Sequence, residues 1–258
     1  MTVKLMSIKY PKINTLWKRE RNGKKKGCII PGEYSEEEIK SINRFSVTEK
    51  VDGTNIRIIY DNESDITCPS CKNTSTIDFL NTHENHCRWC DKKIIRKLIF
   101  TGKTDKSEMP PLLGPVLEKY FCFETVRSVF PTARQVVIFG EGYGKKIQEP
   151  HGRRYIADGN DFILFDVWVD GYWLEYESVK EIANKFGTKA VPFIGIKSID
   201  QIIEMVKEKR QSEISTAPQT VEGYVCTSYP MMCYRNHRRP IRFKLKCSDY
   251  EKLAHKGE

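Results

Sequence analysis

A lysine next to a tight glycine turn is the sharpest chemical feature of the sequence, within the heptapeptide Glu49–Asn55. A lysine at the end of a strand can point into a pocket and act as a nucleophile. Attack needs the neutral amine, and an ordinary lysine with a pKa near 10.4 is almost wholly protonated at pH 7. Cationic neighbours lower such a pKa. The motif therefore predicts a nucleophile at Lys50 if other positive groups lie beside it.

Such groups occur near the C-terminal end of the sequence. In the segment Arg242–Lys246, apolar and basic residues alternate with a period of two, so Arg242, Lys244 and Lys246 share one face of a predicted strand. We predict that this face lies beside Lys50 and holds a phosphate. The alternative is an exposed cationic strand face with no ligand.

Four of the nine cysteines have the spacing of a zinc site. Cys68, Cys71, Cys87 and Cys90 follow the pattern C-x2-C-x15-C-x2-C, in which each pair supplies two thiolates to a tetrahedral ion. Four thiolates leave no position for a water, so we expect a structural Zn²⁺. The nearby histidines, at 83 and 86, are predicted to be surface residues.

Charge and composition narrow the classes of partner. The 258 residues carry a net charge of +9, and residues 1–27 contribute +8 while residues 231–258 contribute +5. Basic ends suggest a polyanion partner, although a solvated tail is the alternative. Apolar runs such as Val136–Phe139 are far shorter than the roughly 20 residues of a membrane span. Because no apolar leader is recognisable, a cytoplasmic protein without membrane contact is expected.

Strand patterns outnumber helical ones and do not alternate strictly with them, so the predicted fold class is α+β with antiparallel-rich sheets. The predicted strands are Phe45–Lys50, Thr54–Tyr60, Ile94–Thr101, Gln135–Glu141, Phe162–Val169, Gly223–Thr227 and Ile241–Leu245. The predicted helices are Ser35–Arg44 and Ile202–Lys209, each opened by a capping box, together with Leu112–Phe130 and Glu177–Phe186. Residues 63–93 are predicted to form a zinc ribbon inserted on a hairpin, and Ser212–Gln219 a mobile loop.

Five ordered segments resemble the motifs of the covalent nucleotidyltransferases, the family of RNA ligases, DNA ligases and mRNA capping enzymes. They are Lys50–Gly53, Phe139–Glu141, Phe162–Asp166, Glu222–Val225 and Lys244–Lys246. The resemblance is strongest to the bacteriophage RNA ligase 2-like group, because Asn55 stands where DNA ligases and capping enzymes usually have arginine. It implies an adenylation domain over residues 1–258, with an ATP-grasp-like fold.

The resemblance implies four catalytic residues. Lys50 would attack the α-phosphate of ATP and become a lysyl-AMP. Glu222 would lie near a divalent cation, Mg²⁺ or Mn²⁺, and Lys244 with Lys246 would bind the α-phosphate. Asp52 would either orient the Lys50 loop or bind the metal through water.

It also implies the nucleotide contacts. Asn55 and Glu141 would hold the ribose, while Phe165 and Val225 would cover the two faces of adenine. Glu49 is included among the predicted nucleotide-binding residues.

Two departures from the family pattern concern substrate binding. Phe100 stands where relatives have a basic residue, and Lys103 or Lys106 would replace it. Only twelve residues follow Lys246, so no C-terminal OB-fold domain is expected. The basic stretch Lys18–Lys26 and the pair Arg88–Trp89 are the candidates for RNA contact.

The implied function is an ATP-dependent RNA ligase that joins a 5′-phosphate to a 3′-hydroxyl in RNA repair or end joining, as a monomer. The alternatives are a DNA ligase or capping-type guanylyltransferase, or an inactive zinc-dependent RNA-binding protein.

Overall fold

The computed structural model describes residues 8–22, 26–236 and 238–254. The described chain divides into two compact units, one of residues 8–10, 55–140 and 166–188, the other of residues 11–22, 26–54, 141–165, 189–236 and 238–254. Both contain strands and helices, which confirms a mixed α+β, sheet-rich fold.

The strands are numbered in chain order. They are β1 (Asn14–Thr15), β2 (Trp17–Arg19), β3 (Ile29–Tyr34), β4 (Phe45–Glu49), β5 (Thr54–Asp61), β6 (Ile66–Thr67), β7 (Thr74–Ser75), β8 (Ile99–Gly102), β9 (Gln135–Gly144), β10 (Asn160–Val169), β11 (Tyr172–Trp173), β12 (Lys189–Ala190), β13 (Phe193–Lys197), β14 (Gly223–Ser228) and β15 (Arg242–Lys246).

The α-helices are α1 (Ile77–Thr82), α2 (Gly114–Tyr120), α3 (Phe123–Val129), α4 (Gly152–Tyr155), α5 (Tyr176–Phe186), α6 (Ile199–Glu208) and α7 (Cys247–Ala254), with 3₁₀ turns at Glu37–Ser41 and Pro111–Leu113. None of the helices in the described part of the chain has the length and apolarity that a membrane crossing requires.

A five-stranded sheet has the order β1-β15-β14-β4-β13. Its neighbours are antiparallel except β1, which runs parallel to β15. Side chains alternate between its faces, so Phe45, Tyr224 and Phe243 are buried in one core, together with Ile202 and Met205 of α6. The other face carries mostly half-buried side chains, among them Thr48, Val225 and Lys244.

A six-stranded sheet has the order β11-β10-β9-β5-β8, and β12 pairs with β10. Within the first unit, the Tyr10 ring packs at a tilt against Phe139 and edge-on against Trp173, with centroid distances of 5.1 and 5.9 Å, and its hydroxyl donates to Asp166 at 2.6 Å.

Several predicted elements differ from the structure. The predicted helix Ser35–Arg44 is only a 3₁₀ turn over Glu37–Ser41, which has no side-chain cap, and the Ser35 hydroxyl donates to the Thr15 carbonyl. The predicted helix Leu112–Phe130 breaks at 121–122 into α2 and α3, and the strand predicted from Ile94 begins only at Ile99. The capping box at Ser198 is confirmed by its mutual bonds with Gln201.

Candidate active site

Three adjacent strands bring the predicted catalytic residues together. Lys50 directly follows β4, Glu222 precedes β14, and Lys246 ends β15. The Lys50 amide donates to the Gly223 carbonyl at 2.9 Å, and Gly223 is paired with Lys246. The strand register therefore puts the three side chains at one end of the sheet.

Glu222 lies between the two lysines. Its Oε2 is 2.5 Å from Lys50 Nζ and its Oε1 is 2.5 Å from Lys246 Nζ. The side chains of Lys50, Glu222 and Lys246 are 23%, 16% and 31% exposed. The prediction that cations face the Lys50 amine directly is thus corrected: a carboxylate intervenes and serves as counter-ion to both.

Half-buried side chains also lie side by side on one face of the five-stranded sheet. Val225 of β14 is paired with Thr48 on one side and with Lys244 on the other, on the face opposite the buried Tyr224 and Cys226. An aliphatic side chain beside two polar ones suits the face of a flat, polar-rimmed ligand.

Gly53 permits the close approach of the lysine loop to the next strand. A Cβ at this position would lie 2.3 Å from the Gly142 carbonyl oxygen and 2.8 Å from Glu141 Cγ. Burial raises the pKa of Glu141 to about 8, although Lys50 nearby opposes the rise. Glu141 is therefore mostly protonated at neutral pH and is able to donate a hydrogen bond as well as accept one.

Tyr155 is a positioning residue that the sequence motifs did not reveal. Its hydroxyl accepts a hydrogen bond from the Asp52 amide at 3.1 Å, and it is fully buried at the end of α4. Burial raises the pKa of the Asp52 carboxyl, and the negative Glu222 adds to this. A single Tyr in a short helix carries no motif, so only the fold shows this contact.

Glu49 points to the opposite side of β4 from Lys50 and is 1% exposed. Its oxygens accept from the Ser212 hydroxyl at 2.5 Å and the Glu213 amide at 3.0 Å. It thereby anchors the segment Ser212–Gln219, which also has a backbone bond between its first and last residues. The segment expected to be a mobile loop is therefore held by hydrogen bonds. Direct nucleotide contact by Glu49 stays a prediction, and it would require Glu49 to exchange these hydrogen bonds for bonds to the nucleotide.

The model of a family described as RNA ligase matches residues 43–246, a span that contains all five motif segments. The chain belongs to the RNA ligase family. A search of curated proteins finds no significant sequence match.

Solved RNA ligase structures from Naegleria gruberi have a similar fold. One with PPi is 17% identical with a TM-score of 0.53, and the alignment covers 96% of this chain and 64% of that one. A lysine-to-methionine variant with AMP and Mn is 17% identical with a TM-score of 0.53, covering 86% and 55%. At this identity the likeness concerns the fold, and the chain spans between half and two thirds of those proteins.

The other residues predicted to bind nucleotide in this RNA ligase family member lie in strands of the six-stranded sheet. Phe165 is half-buried in β10, a strand of the six-stranded sheet. Asn55, near the start of β5, has a buried Oδ1 with no hydrogen-bond partner among the described residues. Such an orphaned acceptor suits a hydroxyl donor from a ligand. Phe100 is half-buried in β8, and Lys103 follows that strand.

The four cysteines meet as their spacing predicts. Their sulfur atoms all lie within 4.8 Å of one another, with Cys68 3.7 Å from Cys90 and Cys71 3.6 Å from Cys87. Four sulfurs at Zn–S bonds of about 2.3 Å would be about 3.8 Å apart at the corners of a tetrahedron. The donor set and its size therefore fit zinc.

The two candidate RNA contacts differ in placement. Trp89 is 62% exposed and Arg88 lies 5.9 Å from its ring centroid, so this pair is open to solvent. In the stretch Lys18–Lys26, the residues at 23–25, including Lys24 and Lys25, lie outside the described residues. Lys18 and Arg19 belong to β2.

Proposed function

We propose that this chain is an ATP-dependent RNA ligase that works through a lysyl-AMP on Lys50. The observation that carries the proposal is the convergence of Lys50, Glu222 and Lys246 within a segment that the RNA ligase family model matches. A nucleophile, a carboxylate and a second cation are the groups that nucleotidyl transfer requires.

The reaction has three balanced steps. Lys50 Nζ attacks the α-phosphorus of ATP, a P–N bond forms, and the P–O bond to pyrophosphate breaks. A 5′-phosphate oxygen of RNA then attacks the adenylyl phosphorus, and the P–N bond breaks. Finally a 3′-hydroxyl attacks the activated 5′-phosphate and AMP leaves.

Glu222 is the group positioned to control the Lys50 proton. The amine must lose its proton before it attacks, and the Glu222 oxygen at 2.5 Å is the nearest acceptor for it. Lys246 keeps the carboxylate in place from the other side, so Glu222 remains held when Lys50 turns towards phosphate. Lys244 and Lys246 then offset the negative charge of the α-phosphate.

A divalent cation, Mg²⁺ or Mn²⁺, supplies positive charge against the phosphate oxygens when bound. Glu222 and Asp52 are the carboxylates that would hold it, since hard cations prefer oxygen ligands. Glu141 and Asn55 are assigned to the ribose and Phe165 with Val225 to the adenine, on the strength of the resemblance.

We assign residues 63–93 to an inserted zinc module with Cys68, Cys71, Cys87 and Cys90 as the ligands. Support comes from the sulfur distances and from a small core of Cys68, Leu80, Cys87 and Ile94. So small a core needs a metal or another cross-link to be stable. A role in RNA repair and a cytoplasmic location stay predictions.

Transfer of label from ATP tests the proposal. Wild-type protein incubated with α-labelled ATP and Mg²⁺ should retain covalent label, and Lys50→Ala should retain none. Lys40→Ala, at an exposed lysine in the same unit, is the matched control and should label normally.

Label on Lys50→Ala would contradict the assignment of the nucleophile. Transfer from GTP in preference to ATP, or sealing of nicked DNA but not of RNA ends, would favour a capping enzyme or a DNA ligase instead.

A further inference from the structure

A basic cleft of about 1170 Å³ lies within the second unit, between the N-terminal strands and β15. Its basic lining residues are Lys12, Lys18, Arg19, Arg21, Lys26, Lys244 and Lys246, against the acidic Glu20 and Asp249. Asp249 is 3% exposed and its carboxylate is bound to Arg19 at 2.7 Å and to the Lys246 amide at 3.2 Å. The wall of the cleft is therefore strongly positive.

The fold holds this wall in place. β1 pairs with β15, with Thr15 opposite Lys244, and the Leu16 amide donates to the Lys244 carbonyl at 3.1 Å. Arg19 donates to the Thr15 hydroxyl at 3.0 Å and to the Gly27 carbonyl at 2.7 Å. The cations thus project from a hydrogen-bonded framework and not from a solvated tail.

The cleft reaches the proposed active site through Lys246. This residue lines the cleft, and its ammonium contacts Glu222, which in turn contacts Lys50. A phosphate bound along the cleft would end at the lysines assigned to the α-phosphate. Small-molecule pockets usually measure roughly 300–1,000 Å³, so the cleft has room for more than one mononucleotide.

We propose that this cleft binds the RNA strand whose 5′-phosphate receives AMP. The inference rests on the proposed ligase function and adds to it a named binding surface for one of the two RNA ends. Lys and Arg spread along a groove recognise the repeating phosphates of a single strand without reading its bases.

The test removes two exposed cations at the part of the cleft away from β15. The double variant Arg21→Ala/Lys26→Ala removes both positive charges. The control Lys40→Ala/Lys207→Ala removes two exposed lysines of the same unit that lie outside the cleft lining. Purified lysyl-AMP protein is mixed with increasing concentrations of a 5′-phosphorylated RNA, and AMP transfer is measured. Binding of the same RNA is measured by fluorescence anisotropy between 50 and 200 mM salt.

Each phosphate contact to a single strand contributes about 0.7 to the salt slope of log K. The cleft variant should therefore lose about 1.4 in slope and bind about 25-fold more weakly at 0.1 M salt, and AMP transfer should need correspondingly more RNA. Adenylate formation from ATP reports that the variant is folded and should match that of the control.

RNA binding and AMP transfer equal to those of the control would overturn the proposal. Equal losses in the ATP step and the RNA step would also overturn it, since the cleft would then hold the triphosphate of ATP. If the wild-type protein forms no adenylate and transfers no AMP, the ligase function fails, while the anisotropy measurement still tests the cleft.

Discussion

At the scale of single residues, one carboxylate organises the charge of the proposed site. Glu222 is the counter-ion of both Lys50 and Lys246, so the protein without ligands keeps two cations close together at little electrostatic cost. The resemblance of the sequence motifs to those of the nucleotidyltransferases implies all three residues, but it does not show that the carboxylate stands between the lysines. That arrangement depends on the side chains at three strand ends, which are far apart in sequence.

Gly53 is one of the residues whose size is tightly limited at this site. In Gly53→Ala the added methyl would lie 2.3 Å from the Gly142 carbonyl oxygen, so the lysine loop must move away from Glu141. Forced overpacking of this kind costs about 1–3 kcal/mol. We expect urea denaturation to show a loss of that size, accompanied by loss of ATP labelling.

Gly114→Ala is the matched control. Gly114 is the first residue of α2, where an added Cβ has nothing within 4 Å, and alanine is the better helix former. Its stability and labelling should be unchanged or improved. Labelling of Gly53→Ala at the wild-type rate would show that the loop does not need this close approach.

At the scale of elements, the strands that carry the motifs are predictable because their side chains alternate clearly. β4, β10, β14 and β15 are all found within a few residues of their predicted bounds. The strands β1 and β2 escape prediction because they have only two and three residues, and β1 pairs with β15 more than 200 residues later. β3 escapes it because Pro31 and Gly32 interrupt its pattern. The Ser35 capping pattern misleads as well, because the turn that follows has no side-chain cap and the Ser35 hydroxyl contacts the Thr15 carbonyl, 20 residues away in sequence.

The cysteine module gives a prediction at this scale. Purified protein should contain one zinc per chain by mass spectrometry, and Cys87→Ser should lose it, because a serine hydroxyl is a poor replacement for a thiolate. Cys122→Ser, at an exposed cysteine outside the cluster, is the control and should keep its zinc. We also expect proteases to cut residues 63–93 faster in Cys87→Ser than in the control.

Wild-type protein without stoichiometric zinc would contradict the metal assignment. Equal zinc content in the two variants would show that the ion binds elsewhere.

At the scale of the whole molecule, the fold brings together the two basic segments of the sequence. Residues 1–27 and 231–258 carry the basic excess, and the pairing of β1 with β15 brings described parts of both segments to one cleft. Counting charges along the sequence detects the excess but leaves open whether the ends are tails or a binding surface. The parallel pairing of two short strands, which no local pattern encodes, puts described cations of both segments on one folded wall.

The dependence of stability on pH is a property of the whole chain to which Glu141 should contribute. Glu141 has a pKa of about 8 when folded against an ordinary value of 4.5, so between these values the folded form holds a proton that the unfolded form has released. The free energy of unfolding should therefore be highest at the low-pH end of this window and fall as pH rises towards 8, by at most about 1.4 kcal/mol per pH unit. Burial raises the pKa of Glu49 and of Asp52 as well, which adds slope of the same sign.

Urea denaturation of wild type and Glu141→Gln at pH 5.5 and pH 8 measures this contribution. The amide cannot titrate, so the variant should lose less stability than the wild type across the interval and keep only the slope due to other groups. Glu181→Gln, at an exposed position on α5, should behave as wild type. The same decrease in Glu141→Gln as in wild type would mean that Glu141 is ionised in the folded protein, and the hydrogen-bond donor assigned to it at neutral pH would then be absent.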